Sequence, residues 1–156
     1  MVPSSHGRLR SATIDDGPRL IHLWALLFDE DTTTSGGCWR AHASTWFARC
    51  VADPSTARFA VVDVDDQVVA TAIGTLELGV PNPQCPRGRL VRLANVITHP
   101  TYRGSGFGSL VVDDVTRWAR SIDADRVDLS ATPEGQRLYA RAGFVPTSAP
   151  RMKLVL

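Results

Sequence analysis

The stretch LANVITHPTYRGSGFGS, residues 93–109, holds the residues best suited to bind a charged ligand. A strand running to His99 and Pro100 gives way to a tight connection, and a helix begins among Gly104, Gly106 and Gly108. The first turn of a helix carries backbone N–H groups without intrahelical partners, together with the positive end of the macrodipole. Glycines put no β-carbon between those amides and a bulky anion. The segment therefore reads as a phosphate cradle. A Walker loop would need GxxxxGK[ST], and no lysine follows these glycines. A dinucleotide fingerprint, GxGxxG, would need glycine where Ser109 stands, and belongs after a first strand rather than a fourth.

The elements that must position this cradle follow from spacing. Residues 9–14 form a short strand, and Asp15-Asp16-Gly17-Pro18 starts a helix whose apolar stripe is Leu20, Leu23, Trp24, Leu27 and Phe28. Residues 29–37 are a polar, glycine-ended loop. A second helical stripe, Trp39, His42, Ala43, Trp46 and Cys50, stops near Asp53-Pro54. Residues 59–64 and 68–78 read as a hairpin around Asp65-Asp66-Gln67. The loop 79–88 carries Pro81, Pro83 and Pro86 and precedes a fourth strand, 89–98. A long helix then presents Leu110, Val111, Val115, Trp118, Ala119 and Ile122. A fifth strand covers 127–131, Thr132-Pro133 caps a short helix ended by Gly143, and 144–145 and 151–156 close the sheet. The expected order is β-α-α-β-β-β-α-β-α-β-β, an α/β chain with a mixed sheet under helices.

The bulk composition narrows the function classes. A chain of 156 residues fits one domain, expected over 9–156 behind a disordered tail at 1–8. Its 17 basic and 16 acidic residues give a net charge of +1, with no basic tract, so nucleic acid is not an expected partner. No apolar run approaches the roughly 18 residues of a membrane span, and residues 1–7 lack an apolar signal core. Cys38, Cys50 and Cys85 form no close pair and no ligand-spaced cluster with the four histidines. We expect reduced cysteines in a cytoplasmic protein and no metal.

The run Arg103-Gly104-Ser105-Gly106-Phe107-Gly108 matches [R/Q]-x-x-G-x-[G/A], and Leu138-Tyr139 with Gly143-Phe144 matches LYxxxGF. With the element order, these motifs resemble the GNAT superfamily of acetyl-coenzyme A-dependent N-acetyltransferases over most of the chain. The resemblance implies a mostly antiparallel, splayed sheet with acetyl-CoA as co-substrate. It implies that Val96, Ile97 and Thr98 meet the pantetheine arm through their main chain, and that Arg103, Gly104, Ser105, Gly106, Phe107, Gly108 and Ser109 surround the pyrophosphate. Tyr139 is implied as the general acid beside the sulfur. Where relatives often carry Asn before the Tyr-bearing helix, this chain has Thr132.

On that reading the reaction is attack of a small primary amine on a thioester, which needs proximity, carbonyl polarisation and proton transfer. Glu77 is the first candidate base and Asp128 the second. Asn95, Phe28 and Asp29 are expected on the acceptor side, with Glu30 and Asp31 completing an acidic loop. The final strand and the 79–88 loop are candidate homodimer surfaces. Acetylation of a protein amine, a non-catalytic coenzyme A-binding module and a dinucleotide-dependent oxidoreductase are the competing readings.

Overall fold

The computed structural model describes residues 6–28 and 38–156. Five strands, β1 (Arg8–Ser11), β2 (Ala57–Val64), β3 (Gln67–Leu78), β4 (Arg89–Thr98) and β5 (Arg126–Asp128), form one sheet in that spatial order. All neighbours are antiparallel except β4 and β5, which are parallel. Helices α1 (Gly17–Leu26) and α2 (Cys38–Val51) cover one face. Helix α3 (Phe107–Ser121) covers the other, and the short α4 (Gln136–Arg141) packs beside it.

Local chemistry explains most boundaries. The β2–β3 turn places Asp65 at φ 49° and Asp66 at φ 60°, the left-handed pair that a two-residue hairpin turn demands. Pro18 sits in the first turn of α1, where its missing N–H costs no hydrogen bond. The α3 face carrying Val111, Val112, Val115 and Trp118 is buried against β2, β3 and β4. A two-pronged ion pair, Arg58 Nε to Asp114 at 2.7 Å and Nη2 at 3.0 Å, ties α3 to β2 on the same side. Opposite, Leu20, Leu23, Trp24, Phe47, Phe59 and Val61 form a second core.

Several expected boundaries move. β1 begins at Arg8, the last residue of the expected tail, which pairs with Asp63; residues 1–5 lie outside the described residues. It ends at Ser11 because Asp16 accepts from the Thr13 amide at 2.7 Å and winds 14–16 into a 3-10 turn. The α1 stripe keeps Leu20, Leu23 and Trp24 buried as expected, with Ile21 added to it and Leu27 and Phe28 exposed. Phe47, outside the expected stripe, is the fully buried anchor of α2, while Trp39, Ala43 and Cys50 of that stripe pack partly buried on the same core and His42 and Trp46 are exposed. β5 is three residues long, not five. Residues 144–156, expected to supply two closing strands, carry none. Pro146 and Pro150 remove two ladder donors there, and Val145, Met152 and Leu154 to Leu156 stay exposed.

Candidate functional site

The site is built on an irregularity in β4. Thr71 of β3 pairs with Ile97, but Ile73 pairs with Ala94, so Asn95 and Val96 together oppose Ala72 alone. This is a β-bulge, and Asn95 adopts φ 50° to make it. Asparagine tolerates the left-handed region better than most residues. On the other edge of β4, β5 pairs only with Leu90, Val91 and Arg92. The two parallel strands part beyond Arg92, and the β5-side edge of 93–98 has no strand partner among the described residues. A peptide-like arm can add there as an extra strand. Val96, Ile97 and Thr98 lie on this stretch.

β4 leads directly into the glycine segment. Gly104 and Gly106 both have φ 81°, a conformation in which a side chain is strained. A β-carbon at either would meet no protein atom within 4 Å, so both glycines border open space. Gly106 is the N-cap of α3 and brings no side-chain cap. The first intrahelical bond runs from Leu110 N to Gly106 O at 3.3 Å. The amides of Phe107, Gly108 and Ser109 therefore have no acceptor within the helix. The Phe107 ring is buried in the α3-side core, so this residue can offer a ligand only its backbone. Arg103 turns back to donate through Nε to Thr98 O at 3.4 Å.

Burial, reinforced by Arg19, His22 and Arg103 nearby, holds the His99 imidazole below its ordinary pKa. His99 Nδ1 accepts from the Thr101 amide at 3.3 Å, the structural role its place before Pro100 suggests.

Tyr139 lies on α4, against the α3-side core. Its ring meets Phe144 edge-on, with centroids 5.9 Å apart and planes at 73°. Leu138 fixes α4 to the cradle: its Cδ2 stands 3.3 Å from where a β-carbon on Gly108 would be. Burial pushes the Tyr139 phenol above its ordinary pKa, so it is a neutral hydrogen-bond donor at physiological pH. Thr132 stands at the N-cap of the 3-10 turn before α4, but its hydroxyl makes no capping bond.

The two carboxylate candidates are both paired. Glu77 Oε1 meets Arg92 Nε at 3.4 Å, and Asp128 Oδ2 meets Arg126 Nη2 at 3.1 Å. Glu77 shares the α1–α2 face of β3 with Ile73 and Thr75, one strand step beyond Thr75.

On that face a cavity of about 270 Å³ opens between the helices and the sheet. Trp24, Phe28, Trp39 and Trp46 form its aromatic walls, and Thr75 and Asn95 stand at its sheet side. Phe28 and Asn95, both expected on the acceptor side, thus meet in one cavity; Asp29, Glu30 and Asp31 lie outside the described residues. The three tryptophans were legible only as helix stripes, yet a stripe this rich in aromatics, with Trp46 still 36% exposed, is also the signature of a binding wall. Trp24 Nε1 and Thr71 Oγ1 are buried without a hydrogen-bond partner. A larger cavity of about 360 Å³, lined by Glu77, Leu78 and Leu90 among others, lies beneath the 79–88 loop at the end of β3 and β4 away from the cradle.

A family model described as the acetyltransferase (GNAT) family matches residues 19–144. A comparison with curated protein sequences finds no significant match. Among solved structures, the chain is similar to a predicted acetyltransferase from Clostridium acetobutylicum determined with acetyl-CoA, at 20% identity and TM-score 0.82, covering 96% of each chain. It is similar to a GCN5-related N-acetyltransferase from Ralstonia eutropha at 22% identity and TM-score 0.82, covering 95% of this chain and 98% of that one. It also resembles glucosamine-6-phosphate N-acetyltransferase from Arabidopsis thaliana, at 18% identity and TM-score 0.77, covering 95% and 97%.

Proposed function

Since the chain belongs to the GNAT family of acetyltransferases, we propose that it transfers the acetyl group of acetyl-CoA directly to the primary amine of a small molecule in a cytoplasmic setting. The observation that carries this reading is the glycine-capped start of α3 beside an unpaired edge of β4. One feature suits a pyrophosphate and the other a pantetheine amide chain, and they are contiguous in sequence.

Acetyl-CoA supplies an activated thioester when bound. The amides of Phe107, Gly108 and Ser109, with Arg103, Gly104 and Ser105 around them, receive its phosphates. The main chain of Val96, Ile97 and Thr98 takes the pantetheine arm, and a β4 amide near the bulge polarises the thioester carbonyl. Tyr139 gives its proton to the departing sulfur. Asn95 orients the acceptor, with Phe28 and Asp29 on the entry side. Glu77 takes the ammonium proton through water, since it lines the neighbouring cavity rather than the aromatic one and is engaged by Arg92.

The test is calorimetric titration with acetyl-CoA, NAD and ATP, followed by thiol release from acetyl-CoA across an amine library. Binding of acetyl-CoA alone, with amine-dependent thiol release, is the expected result. Preference for either nucleotide, or acetyl-CoA binding with no thiol release for any amine, refutes the assignment.

A further inference from the structure

The cavity beside the bulge has a composition that restricts what enters it. Three of the four tryptophans in the chain line it, joined by Phe28, and no charged side chain does among the described residues. Apart from the indole N–H groups of its tryptophans, the polar side chains of the described lining, Thr75 and Asn95, are on the sheet side, where β4 carries the bulge. The aromatic walls are braced: Trp24 and Trp46 meet at 6.3 Å and 64°, and Trp46 packs on Phe59 at 5.5 Å and 69°. A braced wall presents ring faces without first ordering them, which favours binding.

We propose that the acceptor is an arylalkylamine, a primary amine joined to an aromatic ring by a short chain; the inference rests on the acetyltransferase reading above. The ring stacks among Trp24, Trp39, Trp46 and Phe28, and the amine points toward Asn95 and Thr75. An arylalkylammonium also gains from lying over tryptophan faces before it loses its proton. In the transfer the amine nitrogen forms a bond to the acetyl carbonyl carbon and the carbon–sulfur bond breaks. The nitrogen loses a proton, the sulfur gains one, and the products are an N-arylalkyl acetamide and the coenzyme A thiol.

The same walls reject hydrophilic amines. An apolar pocket discriminates against one added hydroxyl by about 100-fold. An amino sugar carries several, and beyond indole N–H donors the described lining offers only Thr75 and Asn95 to meet them. A linear polyamine has no ring to stack on these walls, and among the described lining residues none is an anion that would hold its second ammonium.

Binding of 2-phenylethylamine, glucosamine and spermidine is followed by quenching of tryptophan fluorescence, and acetylation by thiol release. Saturable quenching by 2-phenylethylamine is expected, with kcat/KM at least about 100-fold above that for glucosamine. Phe28→Ser removes an exposed ring at little cost to folding and weakens 2-phenylethylamine binding up to about tenfold. Ala43→Trp, which fills the cavity from α2, abolishes it while leaving the acetyl-CoA affinity unchanged. Absence of saturable 2-phenylethylamine binding, preference for glucosamine or spermidine, or indifference to both variants overturns the proposal. Failure of acetyl-CoA to bind calorimetrically would instead refute the acetyltransferase reading, while the fluorescence titration would still decide the cavity.

Discussion

Replacing Tyr139 with Phe separates chemistry from packing at one atom. The ring stays, so the edge-on contact with Phe144 at 5.9 Å and the packing on the α3-side core survive. The stability change should stay within about 0.5 kcal/mol. What is lost is a proton donor. With ordinary values of about 10 for a phenol and 8.5 for a thiol, transfer to the sulfur is uphill by about 2 kcal/mol. Burial raises the Tyr139 pKa and would widen that gap. A thiolate generated in the same sheltered place is desolvated as well, so its own proton affinity rises in step. General acid catalysis is worth about 10²- to 10⁴-fold, or roughly 3–5 kcal/mol of barrier. Single-turnover acetyl transfer at saturating acetyl-CoA and amine should fall by a factor in that range, with the melting temperature and acetyl-CoA affinity unchanged. Single-turnover rates exclude product release as the cause. A Phe variant that melts normally and transfers acetyl at the native rate refutes the role given to Tyr139.

Gly106→Asp puts a charged side chain on a left-handed residue facing open space, so acetyl-CoA affinity measured by calorimetry should fall at least about 100-fold (~2.7 kcal/mol). Asn95→Gly should keep the bulge and the melting temperature while raising KM for the amine, whereas Asn95→Ala should add a loss of about 1 kcal/mol of stability, because alanine resists φ 50°. Asp125 anchors the 79–88 loop by accepting from Arg87 N at 2.8 Å, Arg89 N at 3.2 Å and Cys85 Sγ at 3.3 Å. Burial alone would raise its pKa, but the donors from Arg89, Cys85 and Arg87 outweigh it and hold the carboxyl down to about 2. Its stabilising contribution is therefore present above the ordinary carboxylate pKa and is lost as pH falls from about 4 toward 2. Asp125→Asn should lower the melting temperature at pH 7, with the difference from the native protein shrinking across that window and the single-turnover rate unchanged at pH 7. Intact-mass measurement of protein incubated with acetyl-CoA alone should detect no covalently acetylated enzyme.

Local rules made much of this fold legible. Helical and alternating stripes, proline positions and glycine punctuation locate each element, and β4 spans 89–98 as its apolar run suggests. The glycine-capped start of α3 was equally legible, and Gly104 and Gly106 take the left-handed backbone there that glycine favours. The bulge was not. It depends on the register between Thr71–Ile97 and Ile73–Ala94, a relation between two strands that no window of one strand contains. The aromatic cavity was hidden for a related reason: Trp24 and Trp46 occupy helical stripe positions, and only the meeting of α1, α2 and the sheet leaves space among them. The closing strands failed because an apolar alternation over 151–156 specifies a strand only if an edge is there to receive it, and β5 offers three residues.

The arrangement also bears on why transfer should be direct. The sheet divides the molecule into two cores, and β4 contributes to both: Val96 packs on the α3 side and Ile97 on the α1–α2 side. The cradle and Tyr139 lie with α3 and α4, while the aromatic cavity lies with α1 and α2. Two ligands can therefore approach β4 from opposite faces at once and meet only where the bulge and the parting from β5 open the strand. A covalent intermediate would need a nucleophile at that meeting point. Cys85 is held by Asp125 under the far loop and Cys50 sits at the C-terminal end of α2, while Cys38, at its N-terminal end, has its thiol 3.8 Å from His42 Nε2 on the exposed side of the helix. Burial pushes the thiols of Cys50 and Cys85 up, away from the reactive thiolate. Under the function proposed above, each reactant would occupy its own face of one strand, and holding both together would supply the proximity that the reaction requires.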